Sequence, residues 1–528
     1  MKLKSLFGFE MKSFKEKKLL VFLFCLLIGI ALRFYGFDQK SLWLDEIHTF
    51  NQSRFALKDQ FEFYIDHPTS LYPPFFFLLT HQFYPFTNPE RDIRIIPLIC
   101  GILCIPMIYL LSRLFSSYIA LPCTLSFTFM AYQISLSQEG RSYSMTLFLG
   151  MTGLYFFIKY LSTLEKKYLL LAPLFFVLSI YTGYISIPYI VFSQLFWFYH
   201  FREEGKRPDL YSSFIFGGLL LVLCSPWFLF LALNYHGQSV MNPFEPQYTV
   251  SFWNILYGIF YDWTPHVPLM IISIALLVLL PLFLKDKINA VVLLLVFILP
   301  IGSFYLFCVL FNVTHFTTSR YFVNLLPVLL ISFYMSLEAI DNKLGKLKNL
   351  IRLKSIFTIL FIASNLLILP LYYQSGKQDF RGLANYLKGE IQDGDKIILS
   401  TMGHFSPLLH YFGIFPNGRS YSIPYSKTSK DEIEYTFPLT IDNKMFTIAY
   451  SNKRWLRFDL LEKNPGGGRL WLVVNKITAE KLKGYAPCVL KGYFDGSFLN
   501  FDKFPTDDSM YLFLWDPKSL DKKRLICP

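Results

Sequence analysis

The stretch Val291-Val-Leu-Leu-Leu-Val-Phe-Ile-Leu-Pro-Ile301 carries no charge over three turns of helix. It decides the class of this chain, because a segment crossing hydrocarbon must be largely uncharged and satisfy its own backbone hydrogen bonds. The same reading applies outward from it, to residues 21–31 and 325–331. Only 16% of the chain is charged, whereas 53% is hydrophobic. Soluble chains carry about 25% charged residues, so the deficit points to lipid. The net charge of +13 is not a nucleic-acid signature here, because the basic residues sit in short segments between the apolar runs. That placement fixes the orientation of a membrane protein.

The sequence predicts a polytopic α-helical membrane protein with about 11 transmembrane helices. Their expected positions are 18–36, 92–112, 117–136, 143–161, 168–183, 184–200, 212–233, 267–284, 288–311, 320–339 and 352–373. The first run lacks a small-residue cleavage pattern and reads as a retained anchor. Lys12, Lys15, Lys17 and Lys18 place the N-terminus on the cytoplasmic side. Arg113, Lys166, Lys167, Arg202, Lys206, Arg207, Lys285, Lys287, Lys343, Lys346 and Lys348 then all fall inside, as the positive-inside rule requires. Residues 71–86 are apolar but hold Pro73, Pro74, His81 and Pro85. Counting them as a span would invert every later loop, so they read as an interfacial or re-entrant helix.

This organisation gives a transmembrane domain over 1–373, with a first outer loop at 37–91, and an extracytoplasmic soluble domain over 374–528. The tail is long enough for a core of its own and reads as a small α/β domain. Residues 379–387 have helical amphipathicity, and 396–400, 470–474 and 510–515 look like buried strands. Gly466, Gly467 and Gly468 make a turn and not a phosphate loop. Cys488 and Cys527 would form a disulfide or stay as two thiols.

Three outer segments carry candidate chemistry. Trp43, Ile47 and Phe50 recur at helical spacing, so Asp45 and Glu46 lie on an amphipathic helix at the membrane surface. Paired acids there can accept a proton from a nucleophile or help hold a divalent metal; a solvated helix start is the alternative. In Ser137-Gln138-Glu139-Gly140-Arg141-Ser142-Tyr143, Arg141 could hold a phosphate, or pair with Glu139 at an exposed helix end. Arg320 and Tyr321 are a second phosphate clamp or an interfacial anchor. His67 and His81 lack metal-ligand spacing, so no cofactor is expected.

Taken in order, these segments resemble the membrane glycosyltransferases of the C type, in particular the group like the protein O-mannosyltransferases and the lipid A aminoarabinose transferase. The resemblance is carried by Leu42-Trp43-Leu44-Asp45-Glu46, Tyr72-Pro73-Pro74-Phe75, Arg94-Ile95-Ile96-Pro97, the Ser137–Tyr143 segment, Arg320-Tyr321 and Lys377-Gln378-Asp379-Phe380-Arg381. It implies transfer of a sugar, hexosyl or pentosyl, from a polyprenyl-phosphate donor to an envelope acceptor outside the cytoplasmic membrane. Asp45 would then orient or deprotonate the acceptor with support from Glu46, and Arg141 and Arg320 would hold the donor phosphate. Tyr321 and His67 would join them at the donor phosphate, and Glu139, Tyr72 and Tyr143 are the implied neighbours. Where relatives carry His or Lys before the double proline this chain has Tyr72, and His67 five residues upstream is the substitute it offers.

A lipid or polysaccharide transporter is the competing class. It would be marked by charges deep inside spans or paired broken helices, and the charges here sit at span ends. A non-catalytic scaffold would not need the ordered acids and bases on one face. The implied partners are therefore the lipid-linked donor, membrane lipid and an acceptor, with no nucleic acid. Outer sequons at Asn51 and Asn312 are compatible with a luminal enzyme; the absence of an added luminal module favours a bacterial inner membrane.

Overall fold

Hydrocarbon offers the backbone no hydrogen-bond partner, so apolar runs of spanning length can only be helices. The computed structural model describes residues 14–66, 72–199, 210–235, 251–311, 318–344, 352–415, 425–427, 433–451, 468–483, 488–496 and 509–516. Among them six helices are long and apolar enough to cross a membrane: Pro89–Phe115, Tyr143–Thr163, Leu210–Asn234, Lys287–Leu310, Ser319–Lys343 and Leu353–Gln374. A seventh is added if Phe252–Trp263 and Val267–Val278, bent by 113° at their junction, count as one span.

The expected count of eleven is not confirmed among the described residues, and the reasons are local. The run expected at 117–136 is interrupted at Met130, giving helices Ala120–Phe129 and Ala131–Ser137. The run at 168–183 has only 15 helical residues, Lys166–Ile180. Ser186–Ser193 passes into a 3₁₀ turn, and Val267–Val278 is one arm of the bent pair. The proline-rich outer segment holds the 7-residue helix Phe75–His81. That is far too short to span at about 1.5 Å per residue.

The chain forms two compact units. One comprises Met1–Phe37, His67–Gln82 and Arg94–Leu371; the other comprises Asp38–Asp66, Phe83–Ile93 and Tyr372–Pro528. Most of the first outer loop thus groups with the C-terminal region, a partition that linear reading of 37–91 does not reveal.

In the helical unit, small residues let helices approach closely, as packing between membrane helices favours. A Cβ on Gly101 would lie 2.0 Å from the Ser137 hydroxyl, and one on Gly153 would lie 2.5 Å from the Phe176 ring. The break at Met130 leaves backbone groups without helical partners, and two buried side chains meet them. Arg33, fully buried, donates to the Thr128 carbonyl at 3.3 Å, and the Asn365 amide oxygen accepts the Ala131 N–H at 2.9 Å. An unpaired buried N–H costs about 1–3 kcal/mol. Asn365→Leu should therefore lower the melting temperature of the purified protein by several degrees. Leu366→Ala, at a 44% exposed neighbour, should not. Equal melting of Asn365→Leu and wild type would contradict this account of the break.

The other unit contains a seven-stranded sheet of order β2-β3-β4-β1-β5-β7-β6. The strands are β1 Lys396–Leu399, β2 Tyr425–Lys427, β3 Ile433–Ile441, β4 Lys444–Ser451, β5 Leu470–Val474, β6 Cys488–Phe494 and β7 Met510–Trp515. β1 runs parallel to β4 and β5, and the other pairs are antiparallel. Helix Phe380–Glu390 buries Phe380, Leu383, Ala384 and Leu387 against Ile397, Leu399, Trp471 and Val473. The opposite face of β5 packs Leu470, Leu472 and Val474 on Ala479 and Leu482. Burial on both faces explains why Leu-Trp-Leu-Val-Val is an unbroken apolar run. Cys527 and the two glycines before Gly468 lie outside the described residues, so the disulfide and the full triglycine turn are not addressed.

This unit also holds a pH-sensitive histidine. The His410 ring stands edge-on to Phe50 with centroids 4.6 Å apart and packs near Phe415. Burial, with a smaller contribution from nearby Arg54, lowers its pKa from 6.5 to about 4. Below pH 6.5 the unfolded chain binds this proton and the folded chain does not, so stability falls with pH, by about 3 kcal/mol at pH 4. Trp471 fluorescence should show unfolding easing between pH 6.5 and 4.5. His410→Phe should remove that component; an unchanged pH dependence would contradict it.

Candidate functional site

The acidic candidates lie in the unit that contains the sheet. Helix Leu44–Ser53 begins after Trp43, whose extended backbone turns the chain into the helix. Asp45 is half-buried and Glu46 fully buried. The expected amphipathic helix is present, but Glu46, Ile47, Thr49, Phe50, Asn51, Gln52 and Ser53 are all buried in protein. Neither a solvated helix start nor a helix lying bare on a lipid surface fits that burial. Ile47 and Phe50 enter an apolar cluster with Leu42 and Ile93, beside Tyr411 and Phe415.

A buried carboxylate needs partners. Glu46 Oε2 accepts the Trp43 N–H at 3.4 Å and lies 3.9 Å from the Lys377 ammonium. That ammonium sits 5.3 Å from the centre of the Trp43 ring. In the sequence Lys377 is only one member of a motif; the fold brings it to Glu46. Lys377 and Gln378 have φ of +51° and +54°, left-handed values that non-glycine residues adopt at a cost. Gly376 and Asp379 on either side hold them, through N–H bonds to Asp495 at 2.6 and 3.0 Å. Four residues on, Arg381 donates to Glu90 at 3.4 Å, its own N–H bonds the Ser41 hydroxyl at 3.1 Å, and Tyr411 donates to Glu90 at 3.0 Å. The Lys377–Arg381 motif thus fastens the segment that leads into Asp45.

The basic candidates lie in the helical unit. Helix Ala131–Ser137 ends into Gln138, whose amide donates to the Arg33 and Tyr35 carbonyls, each at 2.9 Å. These are carbonyls that the end of the first helix leaves without helical partners. Gln138 therefore fixes the segment against helix Phe14–Phe34, and Glu139 follows directly. Its carboxylate meets Arg320 at 3.2 Å, with the two side chains 8% and 17% exposed. Arg320 also donates from Nε to Thr318 at 3.3 Å and lies 5.5 Å from the centre of the Tyr143 ring.

The structure therefore brings Glu139, Arg320 and Tyr143 together. Arg141, half-buried, is two residues along and tied by its N–H to the Glu139 carbonyl at 2.7 Å. The exposed Glu139–Arg141 pair considered from sequence is replaced by the buried Glu139–Arg320 pair. The Tyr321 ring lies 6.0 Å from that of Phe304, and Tyr321 lines a cleft with Ile185, Pro188, Tyr189 and Asn324. Tyr72 is 46% exposed. His67 lies outside the described residues. Among the described residues no three His, Cys, Asp or Glu side chains gather as metal ligands would.

Desolvating a carboxylate and a guanidinium costs several kcal/mol per ion, and the pairing recovers this only partly. A buried Glu139–Arg320 pair is thus a weak stabilising device. It does keep a forked, permanently charged donor set in place, suited to a phosphate or carboxylate.

The fold of this chain is similar to that of two solved structures of ArnT. The apo crystal structure of ArnT from Cupriavidus metallidurans matches with a TM-score of 0.54 at 11% identity, over 95% of this chain and 98% of that one. ArnT from the same organism bound to undecaprenyl phosphate matches with a TM-score of 0.52, again at 11% identity over 95% and 98% of the chains. No family model and no curated protein matches the sequence. At this identity the likeness defines the fold.

Proposed function

We propose that this protein transfers a sugar from a polyprenyl-phosphate-linked donor to an envelope acceptor, on the outer face of the bacterial cytoplasmic membrane. The observation that carries the reading is the fold shared with ArnT along nearly the whole of both chains, one of those structures holding undecaprenyl phosphate. The N-terminus is cytoplasmic and the C-terminal region extracytoplasmic, as the basic loops require. Asp45 takes the proton of the acceptor nucleophile, and Glu46 supports it. Arg320 and Arg141 hold the donor phosphate, where negative charge grows as the glycosidic bond breaks, so their contacts strengthen toward the transition state. Glu139 and Tyr143 hold Arg320, Tyr321 meets the apolar part of the donor, and Tyr72 and His67 stand at the outer loop.

Purified protein in proteoliposomes, offered polyprenyl-phosphate sugars with bacterial envelope lipids and polysaccharides, should consume one donor and yield a glycosylated acceptor. Movement of intact lipid across the bilayer without cleavage would instead favour the transporter class.

A further inference from the structure

An acid outside both groups above is engaged by the residue next to Arg320. Asp262, 2% exposed, sits near the corner where helices Phe252–Trp263 and Val267–Val278 meet. The Ser319 hydroxyl donates to its Oδ2 at 2.5 Å and lies 2.7 Å from the Tyr132 hydroxyl. Tyr132 and Ser319 are 2% and 3% exposed, and the Trp263 ring packs 6.2 Å from that of Tyr132.

We propose that Asp262 is a positioning residue that sets the Arg320 guanidinium through the Tyr132–Ser319–Asp262 hydrogen-bond chain. The three residues come from three separate segments. Tyr132 is on the short helix that leads into Glu139. Ser319 opens the 3₁₀ turn Ser319–Leu325 and precedes Arg320 directly. Asp262 ends an arm of the bent pair. A bond from Ser319 to Asp262 fixes the start of that turn, and contact with Tyr132 fixes it to the helix that delivers Glu139. The separation of Glu139 and Arg320 is therefore set twice, once by their own pair and once by this chain. A buried carboxylate pays a large desolvation cost. Ionisable groups inside a membrane unit are usually retained for function and not for stability.

This inference rests on the proposed function only for what Arg320 holds; the positioning can be read without substrate. Phenylglyoxal adds to guanidinium groups, and peptide mass spectrometry reports its rate at Arg320 in the full-length protein in micelles. Asp262→Ala should speed modification of Arg320 on the order of tenfold, as expected for coupled neighbours. Arg469, held by Asp395 at 2.7 Å in the other unit, should keep its rate. Asp262→Asn retains both the volume and an acceptor for Ser319 and should restore most of the protection, whereas Asp262→Leu, of similar branched shape but without an acceptor, should expose Arg320 as Asp262→Ala does. If Asp262→Ala does not fold, Ser319→Ala is read in its place. Arg320 reactivity within about twofold of wild type in the variant read would overturn the proposal. Added undecaprenyl phosphate should slow Arg320 modification in the wild type. Its failure to do so would count against the proposed donor and leave the Asp262 result standing.

Discussion

Asp45→Asn should slow sugar transfer on the order of a thousandfold while leaving melting and donor binding close to wild type, because a positioned general base contributes about 10²–10⁴. The two adjacent acids are not equivalent. Glu46 is fully buried and holds the Trp43 N–H at the start of its helix, whereas Asp45 is half-buried. A group that takes a proton from an incoming nucleophile needs such access. Glu46→Gln should therefore cost stability first, since it leaves the Lys377 ammonium, 11% exposed, without its facing carboxylate. Initial rates and melting curves on both variants separate these effects. An Asp45→Asn protein that turns over at the wild-type rate would remove Asp45 from the chemistry.

The second large effect is expected at Arg320. Arg320→Lys keeps the charge but loses the planar fork, and transfer should fall on the order of a hundredfold with a raised donor KM. Arg320→Ala strands Glu139, whose side chain is 8% exposed, and should also destabilise the protein by about 3–5 kcal/mol. The double variant Glu139→Gln/Arg320→Met removes both charges together. It should melt above Arg320→Ala and still transfer poorly. Recovery of transfer in the double variant would mean that Arg320 serves the fold and not the donor.

How much of this was legible in the sequence follows from how far each signal reaches along the chain. The six long apolar helices were readable because hydrophobicity sums over a local window. The interruption at Met130 was not, since Arg33 and Asn365, which meet its freed backbone groups, come from remote segments. In the sheet, β1, β5 and β7 were visible as short apolar runs. The β3–β4 hairpin was missed, although Asp442 and Asn443 at its tip have φ of +50° and +62° and an Asp-Asn pair is a recognised signal for such a turn. Asp45 and Glu46 stood out as neighbours in sequence. Glu139 and Arg320, 181 residues apart, and Glu46 and Lys377 become pairs only in the fold.

The most direct test of the central claim is to incubate purified protein with a lipid-linked sugar panel and measure release of undecaprenyl phosphate by mass spectrometry. The account predicts release matched one-to-one by glycosylated acceptor with at least one donor, and its loss in Asp45→Asn. Intact donors throughout, from protein that folds and binds undecaprenyl phosphate, would contradict it.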